Sequence, residues 1–217
     1  MNQQQKLSTN KIVALLILLC AAIITILFSF RISHASEANL LDPAVGTLFT
    51  VPRDIKPFKL VAAPMPGHAF SEKNLLNHWT LVFFGFTHCA TVCPPTLVKL
   101  SDIYQSLHPK IPNLQVVFIS LDPTRDSLDK LNRYTRQFNK GFMGVSGKIQ
   151  ELRKLQSQLG VFAARDENNQ IQHTASILLI NPQGKWSGLL SDAKPAEVLT
   201  KALKTSINTY NVMAQKK

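Results

Sequence analysis

Cysteine is scarce in this sequence, with only Cys20, Cys89 and Cys93 among 217 residues. A domain held together by several disulfide bonds is therefore excluded. Basic runs interleaved with aromatic residues are also missing, although the formal net charge is +11. Because the positive charge is spread along the chain, we expect no nucleic-acid partner. A mildly positive face suits an acidic protein partner or an anionic membrane surface better, and a basic surface that is simply solvated is the first interpretation.

Acidic residues are absent from the first 35 positions, and residues 12–30 contain no charge, glycine or proline. As a helix this segment would be about 28 Å long, close to the thickness of the hydrocarbon core of a bilayer. Its length predicts a transmembrane anchor, or an uncleaved signal, over residues 12–31. A removed signal is the alternative, because Ser33-His34-Ala35 resembles a cleavage site.

The two lysines before the apolar segment place residues 1–11 in the cytoplasm and the rest of the chain outside. We therefore predict a single-pass protein of a bacterial inner membrane whose C-terminal domain lies in the periplasm. Residues 32–57 contain three prolines and little periodicity, which predicts a tether and an irregular lead-in. We place the tether at 32–47, a folded domain at 48–210 and a C-terminal tail at 211–217.

Strand-like and helix-like segments alternate through the folded domain. Residues 79–86, 114–121 and 175–180 are almost continuously apolar, as in buried strands. Residues 94–108 have the apolar spacing of an amphipathic helix, and further helices are predicted around residues 128–138, 149–159 and 195–208. This order predicts an α/β, thioredoxin-like fold with a central mixed sheet flanked by helices, preceded by one N-terminal transmembrane helix.

Cys89 and Cys93 stand between the first buried strand and the helix that follows it. Pro94 suits the first position of that helix, and a residue before proline avoids the α conformation, so Cys93 is expected to be the cap. Its sulfur would then face free N–H groups, which lower the pKa of a thiol. The pair could act as a redox pair, as soft metal ligands or as a structural disulfide.

Three residues separate the two cysteines, so their loop has room for two sulfurs around an ion. A histidine would complete such a site, and His173 precedes the third buried strand. In a thioredoxin-like sheet the loop before that strand packs against the cysteine loop. His88 is expected to point away from its neighbour Cys89. Asp126 or Ser127 is expected to cap the helix that follows, and a turn and a helix cap are sufficient roles for Asp122 and Asp126.

The segments FFGFTHCATVCP, FISLDPTRDS, GFMGVSG and QHTASILLINPQGK closely resemble the SCO/SenC family of membrane-anchored copper proteins, over roughly residues 48–208. The resemblance implies a copper site, for Cu(I) and Cu(II), with the ligands Cys89, Cys93 and His173. It also implies a role in assembling the binuclear copper centre of cytochrome c oxidase, by copper delivery, thiol reduction or both. The partners would be the copper-receiving subunit of the oxidase, with other copper chaperones or thiol reductants.

One residue departs from the family pattern. Many members have an acidic residue directly before the ligand histidine, where this chain has Gln172. A neutral neighbour would change the docking of a partner or the groups that orient the imidazole ring.

A thiol–disulfide oxidoreductase that carries no copper is the rival function. The strand–loop–helix placement of Cys89 and Cys93 is equally consistent with it, so the chain is interpreted mainly as a metallochaperone, with thiol–disulfide reductase activity as a second property. A peroxidase is disfavoured because the sequence has no convincing Pro-x-x-x-Thr-x-x-Cys array. A purely structural disulfide would close a very short loop and stabilise little.

Overall fold

The structure is a computed structural model that describes residues 19–23, 41–63, 68–167 and 171–214. The chain divides into two units, Met1–Ala38 and Asn39–Lys217. In the first unit residues 19–23 are helical, and the remainder of the predicted anchor at 12–31 lies outside the described residues. None of the helices in the described ranges has the length and apolar character required to cross a membrane.

The second unit contains a mixed sheet and a set of helices. Its strands within the described residues are β1 (Gly46–Arg53), β2 (Leu60–Ala62), β3 (Ala69–Phe70), β4 (Trp79–Gly85), β5 (Leu114–Ser120), β6 (Phe142–Ser146), β7 (Ala163–Arg165), β8 (Ile171–His173), β9 (Ser176–Ile180) and β10 (Trp186–Ser191). Its helices there are α1 (Cys93–Leu107), α2 (Leu128–Phe138), α3 (Ile149–Gln158) and α4 (Ala196–Ala214), with a short 3₁₀ helix at Glu72–Leu75.

Strand β4 lies at the centre of the sheet. The order is β1-β10-β9-β4-β5-β6-β2-β3, while β7 and β8 form a separate two-stranded ribbon. β4, β5 and β6 are parallel to one another, whereas β9 pairs with β4 in the antiparallel sense. Because β4 has neighbours on both sides and is covered on both faces, each of its seven residues is buried. The predicted α/β architecture with a mixed central sheet is confirmed.

The apolar face of α1 carries much of the packing on this sheet. Leu97, Leu100 and Ile103 follow one another at helical spacing and are fully buried. The helix packs against β5 and against α4, while α2 packs against β6. These contacts fix the first turn of α1 at the end of β4.

The prediction of an irregular segment over residues 32–57 is wrong for Gly46–Arg53, which forms β1. This strand lies at the edge of the sheet and pairs only with β10, with a register irregularity between Leu48 and Arg53. An edge strand is half-exposed and tolerates proline, so Pro52 does not prevent it. The strand begins at Gly46, two residues before the predicted start of the folded domain at residue 48.

Three strands have an end at the same side of the sheet, where β4 and β5 finish and β9 starts. β4 and β5 are parallel and end side by side at Gly85 and Ser120. β9 runs the other way and begins at the same edge, with Ile177 opposite Phe83. Loops that follow β4 and β5, and the segment that precedes β9, are therefore brought together here.

Candidate functional site

The loop after β4, residues 86–92, holds the first cysteine and leads directly into α1. The backbone N–H of Cys89 donates to the carbonyl of Phe86 at 3.2 Å, which turns the chain back on itself. Helix α1 begins at Cys93 and is capped by Val92, so the prediction that Cys93 is the cap is wrong. The carbonyl of Val92 accepts the N–H of Thr96 at 3.2 Å and its hydroxyl at 2.8 Å.

Cys89, rather than Cys93, receives the hydrogen bonds of the helix N-terminus. The backbone N–H of Cys93 donates to the Sγ of Cys89 at 3.3 Å. Burial by itself raises the pKa of Cys89, but hydrogen bonds from Cys93 and from the backbone of Val92 and Thr91 outweigh it, so the pKa lies below its ordinary value. The more acidic thiol predicted for Cys93 therefore belongs to Cys89.

Cys93 has the opposite electrostatic environment. Its side chain is fully buried, and this burial, followed by the interaction with Cys89, raises the pKa of its thiol well above the ordinary range. The two thiols thus differ in acidity, and Cys89 loses its proton more readily than Cys93. Both cysteines are free in the structure.

His173 lies on the β7–β8 ribbon, shortly before β9 begins. It is the last residue of β8 and pairs with Ala163 of β7, so its expected place in a loop is corrected to a strand end. A three-residue strand is too short to give a periodic pattern in the sequence. The ring packs edge-on near Phe83 and Phe86, with centroid distances of 6.2 and 5.9 Å.

The imidazole of His173 is held with one nitrogen turned toward the sulfurs. Its Nδ1 lies 3.0 Å from the carbonyl of Thr174, which assigns the proton to Nδ1 because only an N–H can donate to that oxygen. Its Nε2 then has a free lone pair and lies 3.9 Å from the Sγ of Cys93. Burial lowers the pKa of His173, which favours the neutral ring.

Donor atoms of these three residues form one cluster. Each residue provides one atom, and the three atoms, from Cys89, Cys93 and His173, all lie within 4.8 Å of one another. His173 is 80 residues away from Cys93 in the sequence. Two sulfurs and a neutral imidazole are a donor set suited to soft or borderline transition metals. A carbonyl that fixes the far nitrogen of a histidine is also typical of metal sites. The geometry therefore fits a metal ion.

Asp126 connects the loop after β5 to the cysteine loop. Its buried carboxylate accepts the N–H of Thr87 at 3.0 Å and the Thr87 hydroxyl at 2.5 Å. It also accepts the hydroxyl of Ser120 at 2.7 Å. Ser127, not Asp126, caps α2. Of the two residues expected as the cap, Ser127 has that role and Asp126 does not. The position of Asp126 just after a buried parallel strand was a signal that it would lie near the site.

Asp122 joins the same loop to the ribbon that carries His173. Its side chain is fully buried and pairs with Arg125 on its own loop and, at 2.6 Å, with Nη2 of Arg165 on β7. Burial would raise the pKa of Asp122, but the hydrogen bonds from Arg125, Thr124 and Arg165 lower it below the ordinary value. The ion pair with Arg165 spans 43 residues, so no local pattern could have predicted it.

His88 and Tyr134 lie around the cysteine loop. The side chain of His88 is 43% exposed and its Nδ1 lies 3.6 Å from Asp126, so it does not belong to the cluster of donor atoms, as expected. The hydroxyl of Tyr134 is buried and has no hydrogen-bond partner among the described residues. Burial first, and then the charges of Cys93 and Cys89, raise its pKa above the ordinary range. Tyr134 lies in the helix predicted around residues 128–138 and was not among the predicted site residues.

Gln172 is exposed and lies opposite Ala164 in the ribbon. Its amide donates to the carboxylate of Asp166 at 3.5 Å. Neighbouring residues of a strand point to opposite faces, so Gln172 and His173 face different sides of the ribbon.

Known proteins resemble this chain over most of its folded domain. The family model SCO1/SenC matches residues 50–208. The protein "SCO2 homolog, mitochondrial" of Danio rerio is 30% identical over 155 residues, which cover 66% of this chain and 56% of that protein. The chain thus spans little more than half the length of the curated relatives it matches, with 57% for the Bos taurus counterpart.

Two solved structures show the same fold. Arabidopsis thaliana ScoI with copper bound is 27% identical, with a TM-score of 0.67, over 71% of this chain and 98% of that one. Bradyrhizobium japonicum ScoI with copper bound is 30% identical, with a TM-score of 0.61, over 70% of this chain and 98% of that one.

Proposed function

The chain belongs to the SCO1/SenC family, and we propose that it binds copper and helps to assemble the binuclear copper centre of cytochrome c oxidase. The observation that carries the proposal is the cluster of three donor atoms from Cys89, Cys93 and His173. Copper-bound relatives of the same fold support copper as the ion, and two sulfurs with an imidazole suit both the Cu(I) and the Cu(II) states. Copper is the cargo of this protein.

Each of the three residues contributes a different property to copper binding. Cys89 offers a sulfur that loses its proton readily, while Cys93 gives up a proton when the metal enters. His173 offers the lone pair on Nε2 without first having to lose a proton, because burial keeps its ring neutral. Thiolates favour Cu(I), and imidazole also accepts Cu(II). Since protons compete with the metal, copper affinity falls as the pH is lowered.

Delivery of the ion requires that a donor can be replaced by a ligand of the acceptor. Cys93 is fully buried, whereas Cys89 is 9% exposed and His173 is half-buried. An incoming ligand can therefore approach from the Cys89 and His173 side while Cys93 still holds the ion. Transfer in steps of one ligand suits a three-donor site.

Thiol reduction is a second candidate function, favoured by the unequal acidity of the two cysteines. The Cys89 thiolate would attack a disulfide of the partner, form a mixed disulfide and release one partner thiolate. Cys93, after losing its proton, would then attack the Sγ of Cys89, close the Cys89–Cys93 disulfide and release the second partner thiolate. Two electrons pass from the cysteine pair to the partner, and the oxidised pair no longer binds copper.

The predicted anchor at residues 12–31 gives the proposed location. We propose that the chain crosses a bacterial inner membrane once, with its C-terminal domain in the periplasm, where the copper-receiving subunit of the oxidase is reached. An uncharged run of nineteen residues preceded by two lysines supports this arrangement.

A copper titration tests the proposal. The reduced full chain is loaded with Cu(I) and titrated with a competing chelator, then titrated separately with Cu(II), and wild type is compared with His173→Ala and the control His88→Ala. We expect His173→Ala to weaken Cu(II) binding by at least tenfold, whereas His88→Ala binds as wild type. Equal binding of both copper states by wild type and His173→Ala would contradict the ligand assignment.

Delivery and reduction are separated with the copper-receiving domain of the oxidase subunit. Copper-loaded chain mixed with reduced, copper-free domain should transfer its copper, and His173→Ala should transfer less. Copper-free reduced chain mixed with the oxidised domain should reduce its disulfide, and this reaction should not depend on His173. Transfer without reduction, or reduction without transfer, would identify which activity the chain has.

A further inference from the structure

A cleft of about 650 Å³ lies between the loop after β5, helix α3 and the β7–β8 ribbon. Three arginines line it, one from each of these elements: Arg125, Arg153 and Arg165. None of the described lining residues is acidic. Asp166 and Glu167, the acids that follow β7, are not among the lining residues.

The positive charge that lines the cleft exceeds the negative charge that Asp122 supplies. Asp122 pairs with Arg125 and with Arg165, so one carboxylate serves two guanidinium groups. Arg153 is exposed on α3 and has no ion pair among the described residues. The carboxylate of Asp122 therefore balances at most one of the three positive charges.

One donor group of the cleft also lacks an acceptor. The Nη2 of Arg125 is buried and has no hydrogen-bond partner in the described ranges. Other atoms of these side chains are accessible, since the side chains of Arg125 and Arg165 are 35% and 40% exposed, and an incoming group can reach those exposed atoms. Guanidinium groups bind carboxylates through paired N–H donors, with a geometry that favours Asp and Glu side chains.

The cleft shares its structural elements with the metal centre. Ala163 lines the cleft and pairs with His173, and Arg165 pairs with Ile171 two residues before that histidine. On the other side, the N–H of Leu121, also a lining residue, donates to the carbonyl of Gly85 at 2.7 Å. A protein held in this cleft would therefore contact the ribbon that carries His173 and the loop that begins beside the end of β4.

An exposed aromatic side chain extends this surface. Phe162 directly precedes β7 and is 66% exposed, and Ile149 of the cleft is 39% exposed. Large aromatic and arginine side chains are the residue types that contribute most to protein interfaces. The surface thus offers a partner both positive charge and exposed apolar side chains.

We propose that this arginine cleft, with Phe162 beside it, docks an acidic segment of the protein that exchanges copper or electrons with the metal centre. The inference rests on the proposed function for the identity of the partner, but not for the chemistry of the cleft. A concave site lined by three guanidinium groups fits carboxylates on a peptide segment better than the flat surface of an anionic membrane. Docking there places the partner's own ligands beside Cys89 and His173.

Binding of an acidic peptide tests the inference. Fluorescein-labelled hexaglutamate is titrated with the full chain in detergent at low ionic strength, with hexaglutamine as the neutral reference peptide. The variant is Arg153→Gln, because Arg153 is exposed and pairs with no carboxylate in the described residues. The matched control is Arg133→Gln, an arginine equally exposed in the middle of α2 and outside the cleft.

We expect hexaglutamate to bind, hexaglutamine not to bind, and Arg153→Gln to weaken the affinity by about three- to tenfold, with Arg133→Gln unchanged. Equal loss in both variants, or no loss, would overturn the inference, because the binding would then reflect overall charge. Dependence on Arg153 for vesicles of phosphatidylglycerol but not for hexaglutamate would also overturn it, in favour of a membrane contact.

Copper binding by the wild-type chain is measured separately from peptide binding. If the wild-type chain binds copper but Arg153→Gln and Arg133→Gln bind hexaglutamate with the same affinity, only the docking inference is contradicted. A chain that binds hexaglutamate through Arg153 but no copper supports the cleft and contradicts the proposed function.

Discussion

The backbone N–H of Cys93 donates a hydrogen bond to the Sγ of Cys89 at 3.3 Å. Cys93 is the first residue of α1, so this N–H belongs to the helix N-terminus. A helix N-terminus stabilises a negative charge that lies close to its free N–H groups. In this loop the first cysteine occupies that position, because the chain turns back at Phe86. The two thiols therefore differ in acidity and in accessibility.

Alkylation should reveal this difference. At pH 8 iodoacetamide is expected to modify Cys89 before Cys93, since the lowered pKa of Cys89 raises its thiolate fraction and Cys93 is both buried and less acidic. The rates are followed by mass spectrometry of peptides from the reduced, copper-free chain carrying Cys20→Ser. In the denatured chain the two rates should become similar. Faster modification of Cys93 in the folded chain would contradict the assignment.

Asp126→Asn should loosen the cysteine loop. The substitution removes the charge that accepts hydrogen bonds from Thr87 and Ser120 in a buried site, so we expect a loss of about 1–3 kcal/mol in the free energy of unfolding. Urea denaturation of the reduced, copper-free protein measures it. The control Asp129→Asn, exposed in the first turn of α2, should change stability by less than about 0.5 kcal/mol. Equal effects of the two substitutions would rule out a specific role for Asp126.

His173 should contribute a pH dependence to stability. Burial lowers its pKa in the folded state, so below the ordinary value of about 6.5 the unfolded chain takes up protons that the folded chain resists. The contribution of His173 to the free energy of unfolding is therefore largest near pH 7.5 and falls as the pH is lowered to 5. The stability of wild type relative to His173→Gln should decrease over that range in copper-free protein. A difference that stays constant or grows on acidification would contradict the pKa direction.

Gly85→Ala should disturb the position of Cys93. A Cβ at Gly85 would lie 2.7 Å from the Sγ of Cys93 and 2.7 Å from the ring of Phe118. Both neighbours are fully buried, so overpacking should cost about 1–3 kcal/mol in unfolding free energy and weaken Cu(I) binding. Gly141→Ala is the comparison, because the nearest atoms to its Cβ would all belong to the ring and hydroxyl of the half-buried Tyr104 and not to a cysteine. Tight Cu(I) binding by Gly85→Ala would show that the sulfur has room to move.

Long apolar segments made most of the fold predictable from the sequence. β4, β5 and α1 are each specified by many residues with one consistent pattern, so their type and approximate bounds were correct. The approach of His173 to the cysteines was predicted from the thioredoxin-like arrangement, in which the loop before the third buried strand packs against the cysteine loop. The structure gives the reason, since β9 is antiparallel to β4 and begins where β4 ends. Neither inference needed the details of the loops.

Loop geometry and contacts distant in sequence account for the rest. Which cysteine faces the helix N-terminus depends on the turn at Phe86, and the rule that disfavours α conformation before proline pointed to the wrong residue. The carboxylates of Asp126 and Asp122 reach partners 39 and 43 residues away. The edge strand β1 was missed because half-exposed residues and Pro52 weaken its pattern.

X-ray absorption at the copper edge tests the central claim most directly. For the Cu(I)-loaded wild type we predict a coordination shell of two sulfur atoms and one nitrogen atom, and the same shell for His88→Asn. In His173→Asn the nitrogen contribution should be lost while the sulfur contribution from Cys89 and Cys93 remains. An unchanged spectrum in His173→Asn would show that the imidazole beside the two sulfurs is not a ligand of the copper.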